Sequence, residues 1–221
     1  MFYKMLAMKD IEEFVEFLRT LDVEDFSTSE NLYDGKSKES EIRRHNLTVY
    51  LKMMKDINPG IMMIGEAPGY KGCRLTGVPF TSEKVLATNP FFCDQGFRFI
   101  NEKDKLESEQ SATIVWNELN ALKEKPLIWN IFPFHPFGNK GVYSNRTPNS
   151  KELDLGRKIL ETILGLFPVN KIIAIGRKPE SRLLIMGINH VYVRHPANGG
   201  KSEFVQGLKK ELCPHAMEGN K

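Results

Sequence analysis

Cysteine is scarce and scattered in this chain. Its 221 residues include only Cys73, Cys93 and Cys213, with no C-x-x-C pair among them. A zinc knuckle or an iron–sulfur cluster built by this chain alone is therefore not expected, and the three read as reduced thiols. Long apolar runs are missing too. Nowhere do about 18 apolar residues run together, the length a membrane-crossing helix needs. Nor is there a large excess of one charge. A net charge of +3 permits a polyanionic partner without demanding one, because binding depends on where the cations cluster. A secretory leader is not expected in residues 1–20 either, since Asp10, Glu12, Glu13 and Glu16 fall inside their apolar pattern. The expectation is a cytoplasmic monomer with no membrane partner.

What is present fits a soluble globular protein. An apolar share of 41% is enough for a core, and 27% charged is ordinary. Residues 9–20 place Ile11, Phe14, Val15, Phe17 and Leu18 at helical spacing. Residues 27–42 are polar and read as a loop. Glu41 to Met54 reads as a second amphipathic helix, ended by the breaker Asn58-Pro59-Gly60. Four short apolar runs then follow: Ile61–Ile64, Leu127–Ile131, Lys171–Gly176 and His190–Arg194. Such runs suit strands buried on both faces. Helical patterns separate them at Thr113–Leu122, Ser150–Phe167 and Pro179–Met186, the second announced by Asn149 with Glu152 in its first turn. The alternation predicts an α/β protein, a three-layer α/β/α sandwich around a mainly parallel four-stranded sheet. One domain over residues 1–221 is expected, with 1–58 an N-terminal helical region and the polar stretch 89–110 an insertion.

In open α/β sheets, ligands sit beyond the carboxyl ends of the strands. The first such end is Gly65-Glu66-Ala67-Pro68-Gly69. It fixes a carboxylate between glycines that let backbone approach a ligand, or it is a tight turn with Glu66 facing solvent. The second carries Asn130, whose amide suits the edge of a planar base or a tie between loops. Nearby His135 reads as a packing residue. Ser144-Asn145-Arg146-Thr147-Pro148 offers hydroxyls and a guanidinium to phosphate or to loop hydrogen bonds. The fourth end, from Arg194 and His195 through Asn198, Gly199 and Gly200 to Lys201, joins a histidine to glycines and two cations that can meet phosphates. Alternatively, His195 caps a strand and Asn198-Gly199 is only a turn. Phe80 is an aromatic that either joins the core or stacks on a ligand. Together these residues are the equipment for holding a flipped base: stack on its face, read its edge, stabilise the charge that leaves with it.

These motifs resemble the uracil-DNA glycosylase superfamily, most closely its family 4 branch, in order across roughly residues 60 to 210. The resemblance rests on Gly65–Gly69, Pro79-Phe80, Asn130, Asn145–Pro148, Ile172–Gly176 and His195-Pro196. It implies a DNA repair glycosylase that hydrolyses the N-glycosidic bond of uracil or a related deaminated base, with no cofactor. Phe80 would stack on the extruded base and Asn130 would bond its edge. His195 would donate to the carbonyl oxygen that gains charge, and Glu66 would position or activate water. Gly65, Ala67, Pro68 and Gly69 would line the base pocket. Arg146, Arg194, Asn198, Gly199, Gly200 and Lys201 would face DNA. Four departures stand out. The chain lacks the cluster-binding cysteines usual in family 4. The aspartate of family 1 corresponds to Ala67, and the tyrosine that screens out thymine corresponds to Gly69. No bulky wedge follows His195-Pro196, which favours single-stranded or mismatched DNA as partner. The alternatives are a glycosylase preferring hypoxanthine or xanthine, and a glycosylase-like protein that binds single-stranded or damaged DNA without cutting.

Overall fold

The computed structural model describes residues 8, 10–23, 26 and 28–212. Cys213, expected as a free thiol, lies outside them, as do most of the first nine residues. Helices α1 (Ile11–Thr20) and α2 (Lys38–Ile57) flank a two-residue strand, β1 (Ser29–Glu30). Strand β2 (Ile61–Gly65) leads to short helices α3 (Cys73–Thr76) and α4 (Glu83–Thr88), a 3-10 turn at Lys103–Lys105, and α5 (Gln110–Asn120). Then come β3 (Leu127–Asn130), β4 (His135–Pro136), α6 (Ser150–Leu166), β5 (Lys171–Ile175), α7 (Arg177–Ile185), β6 (Val191–Val193) and α8 (Lys201–Leu212).

The main sheet has the order β3-β2-β5-β6, every pair parallel. Helices flank it, as the strand–helix alternation predicts. Met62, Met63, Ile64, Leu127, Ile128, Trp129, Ile173, Ala174 and Ile175 are all fully buried. Cover on both faces is why these strands read as unbroken apolar runs. From β2 the chain crosses to β3 on one side, while from β5 it crosses to β6 on the other. The loops leaving β2 and β5 therefore diverge and open a crevice at their carboxyl ends.

Local signals set the helix limits. Asn149 and Glu152 form the expected capping box of α6. Ser37 and Ser40 do the same for α2. Asn58, in the left-handed region at φ 53°, ends α2 where the breaker tripeptide requires. Mid-helix Gly156 answers to packing: a Cβ there would lie 2.1 Å from the Ile131 carbonyl oxygen, so α6 seats tightly on the exit of β3.

Several expectations need correction. Helix α2 begins at Lys38, three residues before Glu41, because Ser37 caps it. The stretch before it is more than a polar loop. Leu32 and Tyr33 are buried, and Tyr33 Oη donates to the Gly77 carbonyl at 2.9 Å. The last strand is shorter than His190–Arg194, covering Val191–Val193. Helix α8 was not anticipated. Its Phe204 and Leu208, four apart, are buried, and Lys201, expected in a loop, is its first residue. The N-terminal region packs against the rest of the fold. Strand β1 pairs antiparallel with β4, Ser29 opposite Pro136 and Glu30 opposite His135, and Phe14 packs 5.7 Å from Trp129. Among the described residues no helix is long and apolar enough to cross a membrane. Cys73 is buried and Cys93 half-buried, both free.

Candidate active site

The crevice holds a cavity of about 440 Å³ lined by Glu66 through Gly69 and Phe80 from the β2–β3 connection, Asn130 at the end of β3 and His195 after β6. Gly65 makes this convergence possible. It lies opposite Asn130 across the β2–β3 pair. A Cβ at 65 would come within 2.2 Å of Phe80 Cε2 and 2.7 Å of Asn130 Oδ1. Only a residue without a side chain lets ring and amide meet there.

Asn130 is 2% exposed. Its side chain makes no hydrogen bond to another described residue, although a buried amide normally finds partners. Its polar capacity is left for whatever fills the cavity. Phe80 adopts φ 50°, uncommon outside glycine. Its carbonyl accepts a 3.0 Å bond from Trp116 Nε1, and its ring lies 5.9 Å from that of His195.

His195 follows β6 on a braced turn. Its Nδ1 accepts the Ala197 N–H at 3.1 Å, so the neutral ring carries its proton on Nε2. Burial, helped by the Arg194 charge, lowers its pKa to about 4. The ring is therefore a neutral donor at physiological pH. Arg194 Nη1 holds the His195 carbonyl at 3.2 Å. Asn198 and Gly199 turn the chain through the left-handed region. Gly200 must be small, since a Cβ would lie 2.2 Å from the His195 carbonyl oxygen.

Glu66 sits at the cavity edge with Oε1 buried and unpartnered. Burial raises its pKa, against the opposing pull of the Thr147 hydroxyl and Lys178. A carboxylate so placed can accept a proton from a small nucleophile. His135 serves the site from behind. It is fully buried, with Nδ1 2.8 Å from the Pro68 carbonyl and Nε2 3.1 Å from that of Val142. It clasps the Gly65–Gly69 loop to the segment after β4, the packing role its sequence context predicts.

Arg146, expected to face DNA, stands on the wall of the cavity with its guanidinium engaged inside the fold. Its guanidinium donates to Glu152 Oε1 and Oε2 at 2.6 and 2.7 Å, to Thr28 Oγ1 at 2.7 Å and to the Thr147 carbonyl at 3.1 Å. Every donor is used within the fold, leaving none for a phosphate. Of the other DNA-facing candidates, Asn198, Gly199 and Lys201 are exposed, Arg194 is half-buried and Gly200 is buried.

Asn145 and Thr147, which the sequence offered only as part of the Ser144–Pro148 block, also line the cavity, as do Glu109 and Ser111, which sequence reasoning passed over. Asn145 Oδ1 accepts the Tyr70 N–H at 2.9 Å and fixes the far end of the Gly65–Gly69 loop. Glu109 caps α5 through the amides of Ser111 and Ala112 at 3.0 and 2.7 Å. An acidic residue just ahead of the Ser111–Leu119 helical pattern was the available signal.

The diverging loops of the α/β sheet thus bring an aromatic ring, a free amide and a neutral imidazole to one cavity. The chain belongs to the uracil DNA glycosylase superfamily, whose family model matches residues 52–212. Among solved structures, wild-type SMUG2 from Pedobacter heparinus shares the fold at TM-score 0.62 and 21% identity, covering 95% of this chain and 98% of that one. No curated protein matches the chain.

Proposed function

We propose that the chain is a monofunctional DNA glycosylase, removing uracil or a related deaminated base by hydrolysis. One observation carries this reading: the Phe80 ring, the free Asn130 amide and the neutral His195 Nε2–H share one cavity. Phe80 stacks on the extruded base and Asn130 pairs with its edge. As the bond from C1′ to the base nitrogen breaks, the electron pair leaves with the base. Negative charge grows on a carbonyl oxygen, where the Nε2–H stabilises it more than in the ground state. Water then adds to the cationic C1′ and gives up its proton to Glu66. The products are the free base and an abasic site.

The natural substrate on this reading is single-stranded or mismatched DNA, where less stacking is broken. A wider base choice, to hypoxanthine or xanthine, has one observation in its favour. At Gly69 a Cβ would find only Asn145 Nδ2, at 3.9 Å, so position 69 puts no wall into the cavity.

Oligonucleotides carrying one uracil, hypoxanthine or xanthine, cleaved by alkali at abasic sites, test the proposal. Uracil should be removed, and Asn130→Ala and His195→Ala should each lose about 100-fold or more in rate, the scale of deleting a transition-state donor. Tight DNA binding with cleavage at none of the bases would leave a binding module instead.

A further inference from the structure

The base cavity does not end at Asn145 and Glu109. Past them a second hollow of about 280 Å³ opens, sharing Gly69, Glu109 and Asn145 with the first. Its remaining wall includes Tyr70, Lys71 and Gln110. The excision chemistry makes no use of this space.

Tyr70 is the one aromatic lining it. Its backbone is pinned by the 2.9 Å bond to Asn145 Oδ1, while its ring is only half-buried. Lys71 Nζ stands 5.9 Å from the centre of that ring and 3.6 Å from Glu107 Oε2, on the exposed rim. The Glu109 carboxylate, which would otherwise repel an anion here, is turned onto the amides that open α5. A fixed aromatic with a cation beside it, one loop away from a base pocket, is the arrangement that binds single strands: bases stack on the ring and the cation meets the backbone.

A strand that sends one base into the cavity must set the adjoining nucleotide at its rim. We propose that the second hollow is the subsite for that neighbouring nucleotide, its base stacked on Tyr70 and its phosphate near Lys71. The inference rests on the base-excision reading of the first cavity. It makes single-stranded DNA the ligand, because a neighbour inside a duplex keeps its own stacking partners.

Binding titrations test it, using oligonucleotides with a 2′-fluorinated deoxyuridine, whose glycosidic bond resists cleavage because fluorine disfavours positive charge at C1′. One strand keeps normal bases on both sides; two others carry an abasic spacer immediately 5′ or 3′. The wild-type chain should bind one of the spacer strands about tenfold more weakly, the loss of one stacked base. Tyr70→Ala should lose about as much on the intact strand and nothing more on that spacer strand, while Tyr70→Phe should bind like wild type. Equal losses by Tyr70→Ala on all three strands, or no loss on any, would overturn the subsite. Uracil excision is read separately by alkali cleavage. A flat binding pattern with active excision rejects the subsite alone; the expected pattern without excision rejects the glycosylase reading alone.

Discussion

At His195 the Ala197 N–H occupies Nδ1, and burial keeps the ring neutral until pH falls to about 4. Glu66 is moved the other way. Burial lifts its pKa above the usual carboxylate range, with the Thr147 hydroxyl and Lys178 only partly offsetting this. As pH falls, Glu66 is the first of the two to be protonated, and a protonated Glu66 cannot take a proton from water. If Glu66 takes the proton from water as proposed, the acid limb of the rate profile should belong to it, at a pH above the ordinary carboxylate value. Glu66→Gln should slow the reaction and erase that limb, while His195→Gln should slow it and leave the limb in place. A pH–rate series on both variants decides the assignment; a limb that survives Glu66→Gln belongs to another group. Residue-level reading of the sequence could name side chains that meet at the strand ends: Glu66, Phe80, Asn130, Arg146 and His195 all line the cavity. It could not show that the Arg146 guanidinium is held by Thr28, because that partner lies 118 positions away.

The elements that were legible are those with a period or a run. Strands β2, β3 and β5 are continuous apolar stretches, and α6 carries its own capping box. Strands β1 and β4 have two residues each, too few for any pattern to register. The stretch 89–110 reads as an insertion because its order comes from buried side chains outside it, Asn46, which holds Arg98, and Glu83. Glu83, 1% exposed, accepts the amides of Ile100, Asn101 and Glu107 at 3.0, 2.9 and 3.1 Å. No periodicity announces that. From this stretch Phe91 stacks on Trp116 at 5.2 Å and Phe92 meets it edge-on at 4.4 Å. Trp116 in turn holds the Phe80 carbonyl, where the backbone is in an uncommon conformation. The segment thus braces the stacking ring through one indole. Trp116→Phe keeps the apolar pile and removes only the bond to Phe80. It should raise KM for uracil-containing DNA about tenfold, the cost of roughly 1–2 kcal/mol for an unmet buried acceptor, with kcat less affected. Unchanged KM would show that packing alone fixes Phe80.

Across the whole molecule, the N-terminal region, the segment after β4 and α6 meet at one carboxylate. Glu152 is fully buried and accepts from Arg146 twice, from Ser29 Oγ at 2.5 Å and from the Asn149 amide at 2.7 Å. Arg146 also reaches Thr28, so it staples the chain's first third to its sixth helix. Burial alone would raise the Glu152 pKa, but the hydrogen bonds from Arg146, Ser29 and Asn149 outweigh it and hold the value down. The sign follows: the stabilisation is present above the unfolded carboxylate value and is lost as pH falls through the depressed folded one. Arg146→Ala at neutral pH leaves that buried charge unpaired. The expected cost is about 3 kcal/mol, or roughly 6–12 °C in Tm for a chain of this size. The melt should keep a single transition, since α1, α2 and the main sheet share one core. Glu152→Gln, which removes the fully buried charge and leaves only the part-exposed Arg146 cation without its partner, should cost less. A phosphate contact would behave differently, leaving Tm nearly unchanged and lowering the slope of log affinity against log salt by about 1. Thermal melts and salt titrations on Arg146→Ala separate the two, and a shallower salt slope with an unchanged melt would return Arg146 to the DNA surface.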